Sequence, residues 1–165
     1  MVRQTRIETA FLALGSNLGD RAHFIRSAIQ AIGEIPETKV REKSDIIETP
    51  PAGVPDAQPN FLNGVVLIET ELQPVDLMEK LQIIERRFGR TTKGDFKSRP
   101  IDIDILSYGN AAFIGKNLVI PHPRMHERRF VLEPLAQLAP DWMHPKLNRT
   151  ARELLEELNG HRNDA

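Results

Sequence analysis

Ile101-Asp102-Ile103-Asp104-Ile105-Leu106 alternates apolar and acidic residues without a break. Alternation with a period of two marks a strand buried on one face. Ile101, Ile103 and Ile105 are therefore expected to point into a core, with Asp102 and Asp104 projecting together from the other face, about 6.6 Å apart along the chain. Aspartate is a poor strand former, so two at alternate positions call for a reason beyond solubility. Two hard oxygen donors side by side can hold divalent cations, magnesium above all, against the oxygens of a polyphosphate. The plainer alternative is a solvated sheet face.

The segment feeding this strand, from Gly89 to Pro100, is polar and charged with no period. Arg86 and Arg87 just before it, and Arg90, Lys93, Lys97 and Arg99 within it, concentrate positive charge ahead of the acidic strand, in a chain whose net charge is −1. The planar guanidinium fork matches phosphate oxygens, and a loop carrying it can close over a polyphosphate. Arg86 and Arg87 are expected to be solvated only. A second basic group, His122, Arg124, His126, Arg128 and Arg129, follows Pro121. His122 and His126 have a metal-ligand spacing, but with no cysteine and no third ligand nearby, phosphate contact is favoured over zinc.

The segments on either side complete the pattern. Ile7 to Leu14 reads as a strand ending in the turn Gly15-Ser16-Asn17, and Asp20 opens a helix in which Phe24, Ala28, Ala31, Ile32 and Ile35 recur at helical spacing until Pro36. Lys39 to Glu48 reads as a strand. The prolines in Thr49-Pro50-Pro51-Ala52-Gly53-Val54-Pro55 deny that stretch both helix and ladder, which makes it a loop. Phe61 to Thr70 is a central strand, and Pro74 to Phe88 a helix with Leu77, Leu81, Ile84 and Phe88 on one face, closed by Gly89. Beyond the acidic strand come a short strand within Asn117 to Pro121, a helix from Arg124 to Leu138, and a last helix from Thr150 to Leu158 with Thr150 and Glu153 as a capping pair. Strand, helix, strand, strand, helix, strand, then helices, is the order of a ferredoxin-like α+β sandwich: a mainly antiparallel sheet with helices packed on one face and ligand loops over the other.

A chain of 165 residues can bury one substantial core, and residues 1–165 are read as a single domain. With 40% apolar and 27% charged residues, fibrous and disordered classes are excluded. No apolar run approaches the roughly 18 residues of a membrane span, and Met1 to Arg6 is too polar for a signal peptide, so a cytoplasmic protein without membrane contact is expected. The absence of cysteine excludes disulfides and thiolate sites. The slightly acidic balance speaks against general nucleic-acid binding, so any anion site is local.

Five blocks, in order, resemble one enzyme family. They are Gly15-Ser16-Asn17-Leu18; Thr49-Pro50-Pro51 with Pro59-Asn60-Phe61-Leu62-Asn63; Glu85 to Gly89-Arg90; Arg99-Pro100-Ile101-Asp102-Ile103-Asp104; and Pro121-His122 to Arg128-Arg129-Phe130. Together they are similar to 6-hydroxymethyl-7,8-dihydropterin pyrophosphokinase in its monofunctional form, over roughly Phe11 to Pro145. The resemblance implies ATP-dependent diphosphate transfer to the hydroxymethyl group of the pterin, with release of AMP, as a step of tetrahydrofolate synthesis. It implies two magnesium ions held by Asp102 and Asp104, and phosphate contacts from Arg90, Lys93 and Arg99. On the ATP side it implies Gln82, Glu85, Ile105, His122 and Arg128. For the pterin it implies stacking by Phe61 and Phe130, pairing by Asn63, and a wall from Thr49, Pro50, Pro51 and Ala52. The residues themselves agree in one respect: Phe61 and Asn63, two apart on a strand, put a stacking plane beside a hydrogen-bonding edge. Within the Thr91 to Ser98 loop, Thr92 stands where the family commonly has arginine, and Phe96 where a tryptophan is frequent. Pro123 replaces a familiar aromatic, and Asn117 and Val119 occupy positions that often contact ATP.

Two other readings use the same residues. A two-metal nuclease or nucleotidyl-transfer domain also places paired carboxylates on a sheet, but it needs an extended basic groove. A ferredoxin-like ligand-binding module would use sheet aromatics and has no use for Asp102 and Asp104. A monomer is expected, with a dimer as the alternative.

Overall fold

The computed structural model describes residues 6–50, 60–89 and 100–163. Strand β1 (Glu8–Ser16), helix α1 (Arg21–Gly33), strands β2 (Thr38–Lys43), β3 (Ile47–Thr49) and β4 (Phe61–Thr70), helix α2 (Pro74–Arg87) and strand β5 (Asp102–Tyr108) follow in the predicted order. A small hairpin of β6 (Phe113–Ile114) and β7 (Val119–Ile120), a 3-10 turn at Met125–Glu127, and helices α3 (Arg129–Leu138) and α4 (Ala151–Asn163) complete the chain. The main sheet runs β2-β4-β1-β5, with β3 also on β4, and every pairing is antiparallel. β1 and β4 lie at its centre because they carry the longest continuous apolar runs, in register from Glu8↔Thr70 to Ser16↔Leu62.

Alternation sorts the side chains into two cores. Leu12, Leu14, Val66, Ile68, Ile103 and Ile105 face α1 and α2, whose Ile25, Ile32, Leu77, Leu81 and Ile84 are buried against them. The predicted inward direction of Ile101, Ile103 and Ile105 is observed, at 0%, 2% and 5% exposure. On the other face Phe11, Val65 and Leu106 pack with Met125, Val131, Leu135 and Ala151, and Trp142 meets Phe11 edge-on at 6.0 Å. Helices thus lie on both faces of the sheet where one was expected, because Phe11, Val65 and Leu106 are apolar on the second face and α3 and α4 cover them. The second layer sits over the Phe11 end, so the two ends of that face have different uses. Each fully buried Leu or Ile side chain contributes about 1.5–3 kcal/mol, which fixes the sheet between the layers.

The helix ends follow their local chemistry. Asp20 accepts from the His23 N–H at 3.1 Å to start α1, and Gly89, with φ +92°, follows α2 in the left-handed conformation that glycine tolerates. The predicted capping pair is present: the Thr150 N–H donates to Glu153 at 3.0 Å, and the Glu153 N–H donates to Thr150 Oγ1 at 3.1 Å. Those bonds hold the Glu153 carboxyl below its ordinary value.

Three elements differ from expectation. The strand read over Lys39 to Glu48 divides at Ser44, whose Oγ accepts from the Val65 N–H at 2.9 Å and so replaces a ladder bond. The helix read from Arg124 to Leu138 is interrupted at Arg128, which is extended (φ −114°, ψ 102°). One continuous helix would place Met125, Arg128, Arg129 and Leu132 on a single face. The break shifts the phase, so Met125, Val131 and Leu135 share a core while Arg129 stays exposed. Finally, β1 continues through Gly15 and Ser16, which the turn reading had placed outside it.

Candidate active site

Residues paired across antiparallel strands share a face, so the register alone assembles the centre of the site. Gly15 of β1 lies between Asn63 of β4 and Asp102 of β5, and Ala13 lies between Val65 and Asp104. β3 adds Thr49 opposite Phe61. The middle strand therefore contributes only a hydrogen and a methyl group to this face, flanked by larger side chains on both sides. The result is a trough. A Cβ at Gly15 would lie 3.0 Å from Asn63 Oδ1 and 3.5 Å from the Phe61 ring, which shows both side chains leaning over the glycine. Asn63 is buried, and its Nδ2 donates to Thr49 Oγ1 at 2.6 Å. That bond orients the amide. With strands about 4.8 Å apart, the amide and the Asp102 carboxylate stand on columns about 10 Å apart.

On the outer side of β5, the buried Glu85 of α2 accepts from the Ile103 N–H through Oε2 at 2.9 Å. Ile103 is the residue between the two aspartates, so this bond ties down the peptide that spaces them. Asp102 and Asp104 are both half-buried on the trough face. A cavity of about 410 Å³ opens beside them, lined by Gln82, Asp104, Ile105, Lys116, Asn117 and His122 among others. His122 enters from the segment after β7: its own N–H donates to the Leu106 carbonyl at 2.9 Å, and its Nδ1 accepts from the Arg124 N–H at 3.2 Å. An accepting Nδ1 puts the proton of the neutral ring on Nε2, which makes that nitrogen a donor. At the start of α3, Phe130 packs against the second core, and the Arg128 guanidinium stands 5.7 Å from its ring centre.

Residues 11–140 match the model of the 7,8-dihydro-6-hydroxymethylpterin-pyrophosphokinase (HPPK) family. This chain belongs to that family. Over 154 residues it is 38% identical to the 2-amino-4-hydroxy-6-hydroxymethyldihydropteridine pyrophosphokinase of Haemophilus influenzae, covering 93% of this chain and 95% of that protein. It is 43% identical over 129 residues to the enzyme of the same name from Bacillus subtilis, covering 78% of this chain and 77% of that one. The folic acid synthesis protein fol1 of Schizosaccharomyces pombe is 38% identical over 154 residues, and there the chain spans only 21% of the relative's length. Among solved structures, Plasmodium falciparum HPPK-DHPS with pteroate superposes with a TM-score of 0.79 at 18% identity, over 99% of this chain and 44% of that one. At that identity the likeness speaks for the fold, which is the ferredoxin-like α+β sandwich expected from the order of elements.

In this HPPK chain the structure gathers Asp104, Ile105, Gln82 and His122 around one cavity, and Asn63, Phe61 and Thr49 around the trough beside it. Asn117 and Val119, read as ATP-side positions, line the cavity as well. Glu85 lies beneath β5 and is absent from the cavity wall. Pro50 is exposed at the end of the described segment. Arg90, Lys93 and Arg99, together with Pro51 and Ala52, lie outside the described residues, as do Thr92 and Phe96. Two contributors escaped the sequence reading. Lys116, in the hairpin turn, brings a cation to the cavity, and Gly15 forms the trough floor. The Gly115-Lys116 turn was the available signal for the first. The register that reveals the second exists only once the strands pair. Among the described residues, no helix is long and apolar enough to cross a membrane.

Proposed function

We propose that this chain, as a single catalytic domain, transfers the terminal diphosphate of ATP to the hydroxymethyl oxygen of 6-hydroxymethyl-7,8-dihydropterin. A bond forms between that oxygen and the β-phosphorus, the bond from the β-phosphorus to the oxygen bridging it to the α-phosphorus breaks, AMP leaves, and the hydroxyl proton passes to solvent. The observation that carries this reading is the row Asn63, Gly15, Asp102 across three strands. A flat ring paired with the Asn63 amide over Gly15 would direct a substituent toward the aspartate column, about 10 Å away.

The donor chemistry fits magnesium. Asp102 and Asp104 offer hard carboxylate oxygens from one face, the donor type magnesium prefers to an imidazole such as that of His122 in the same cavity. Among the described residues no three His, Cys, Asp or Glu side chains converge. The pair would therefore share two ions with phosphate oxygens and water, which is how magnesium commonly sits at phosphoryl-transfer sites. Bound there, magnesium would neutralise charge on the phosphates.

The remaining roles belong to the chain. Gln82, Ile105, Lys116 and His122 would hold the nucleotide in the cavity, with His122 donating through Nε2. Glu85 would act at one remove, by fixing the backbone of β5. Arg128 would contact phosphate, and Arg90, Lys93 and Arg99 would neutralise the transferred group from the stretch that precedes β5 in the chain. Phe61 and Phe130 would stack on the pterin, and Asn63 would pair with its edge beside Thr49, Pro50, Pro51 and Ala52. Catalysis on this reading is positioning and charge neutralisation.

The test follows AMP formation from ATP with each component omitted in turn. AMP should appear only when enzyme, magnesium and 6-hydroxymethyl-7,8-dihydropterin are all present, with the pterin diphosphate in equal amount. ADP in place of AMP, or AMP release that ignores the pterin, refutes the assignment. Nothing in the fold or the relatives favours the nuclease or binding-module readings.

A further inference from the structure

Arg21 is the first residue of α1, where a cation opposes the helix dipole. Its side chain leaves the helix to meet other partners. Nη1 donates to the Asn60 carbonyl at 2.7 Å and lies 3.6 Å from Glu48 Oε1. Asn60 Nδ2 donates to the same Glu48 oxygen at 3.3 Å, which closes a ring of three residues. Glu48 directly precedes Thr49, and Asn60 directly precedes Phe61.

β3 pairs with β4 over only Ile47↔Asn63, Glu48↔Leu62 and Thr49↔Phe61. Three pairs at the fringe of a sheet are a weak hold, and the Arg21 ring fastens this ladder just where it ends. The two ends of the β1–α1 connection thus both support the trough, Gly15 at the end of β1 lying under Asn63 and Phe61, and Arg21 at the start of α1 holding Asn60 and Glu48, the neighbours of Phe61 and Thr49. We propose that Arg21 is a positioning residue for the pterin slot, holding the segment that bears Thr49 against the segment that bears Phe61. It does not touch the ring. The inference rests on the reading of Phe61, Asn63 and Thr49 as the pterin slot, and it adds the determinant of that slot's shape.

The experiment is steady-state kinetics with 6-hydroxymethyl-7,8-dihydropterin and magnesium ATP varied separately, with thermal unfolding in parallel. Arg21→Ala should raise KM for the pterin about tenfold, the order expected for losing a hydrogen bond to a charged donor. KM for ATP and kcat should stay within about twofold, because the cavity lies on the far side of β1 and β5. Arg21→Lys, which keeps a cationic donor for the Asn60 carbonyl, should recover part of the loss. Arg21→Ala combined with Glu48→Ala should cost less than the product of the two single effects, since both open one ring. If Arg21→Ala fails to fold, Asn60→Ala opens the same ring while keeping the backbone acceptor, and should raise the pterin KM about two- to threefold.

An unchanged pterin KM, or equal rises for pterin and ATP, overturns the proposal. Phe61→Ala separates the two ways of failing. Lost pterin affinity there, with none lost in Arg21→Ala, refutes the role of Arg21 and leaves the slot in place. Unchanged affinity in both refutes the slot and the inference together.

Discussion

Glu85 offers a strong test of how the fold holds the paired aspartates. β5 is the outermost strand of the main sheet, so its outward N–H groups find no partner in that sheet. Ile103 donates one of them to the Glu85 carboxylate at 2.9 Å in a buried setting. Glu85→Ala removes the acceptor and leaves a void. Orphaning a buried donor costs about 1–3 kcal/mol, and the unfilled space adds about 1 kcal/mol more. For a chain of this size each kcal/mol lowers Tm by about 2–4 °C, so a fall of about 5–15 °C is expected. Glu85→Gln keeps an acceptor oxygen and nearly the same volume, and should lose less than half as much. KM for magnesium ATP should rise in Glu85→Ala as the peptide between Asp102 and Asp104 loses its tether. Thermal unfolding followed by circular dichroism, with initial rates of AMP release, measures both. A Tm within about 2 °C of the parent for Glu85→Ala, or equal losses for the two variants, would refute the reasoning.

Three further outcomes are expected. Asp102→Ala and Asp104→Ala should each lower kcat about 100- to 1000-fold, the scale of several kcal/mol of lost charge stabilisation, with little change in Tm because both side chains are only half-buried. Near-normal turnover in either would remove the metal role. Gly15→Ala places a methyl group 3.0 Å from Asn63 Oδ1, so pterin affinity should fall while ATP affinity is preserved, as titration calorimetry with each ligand would show. The third outcome concerns His144, which is buried: burial foremost, then the charges of His126 and Lys146, push its imidazole below the ordinary value near 6.5. Its Nδ1 accepts from the Lys146 and Leu147 N–H groups, both at 3.1 Å. Below about pH 6.5 the unfolded chain therefore binds a proton that the folded chain refuses. This contribution to stability is complete above that pH and is lost as pH falls toward the lowered value. His144→Asn, which keeps an acceptor, should flatten the fall of Tm between pH 7 and 5, and an unchanged slope would count against it.

Most of the architecture was legible because local chemistry and tertiary demand agree. Phe61 to Thr70 carries the unbroken apolar run Val65-Val66-Leu67-Ile68 of a central strand, Pro74 and Gly89 bracket α2, and Thr150 with Glu153 caps α4. The reading was less complete where a local pattern had two solutions. The run from Arg124 has helical periodicity throughout, yet burying Met125 together with Val131 and Leu135 requires a break that no single residue announces. Lys39 to Glu48 looks like one strand until Ser44 exchanges its ladder bond for a side-chain one.

The sequence by itself determined the chemistry of the site. Alternation alone puts two carboxylates on one face of a strand, because the pleat repeats every second residue, and the five ordered blocks named the family to which the chain belongs. Only the tertiary structure decided what lies next to those carboxylates. Gly15 is 48 residues from Asn63 and 87 from Asp102 along the chain, and their adjacency depends on the register of three strands. Register is set by which faces of distant segments are buried together, a property of the packed whole, and the trough, the support from Glu85 and the Arg21 ring all follow from it.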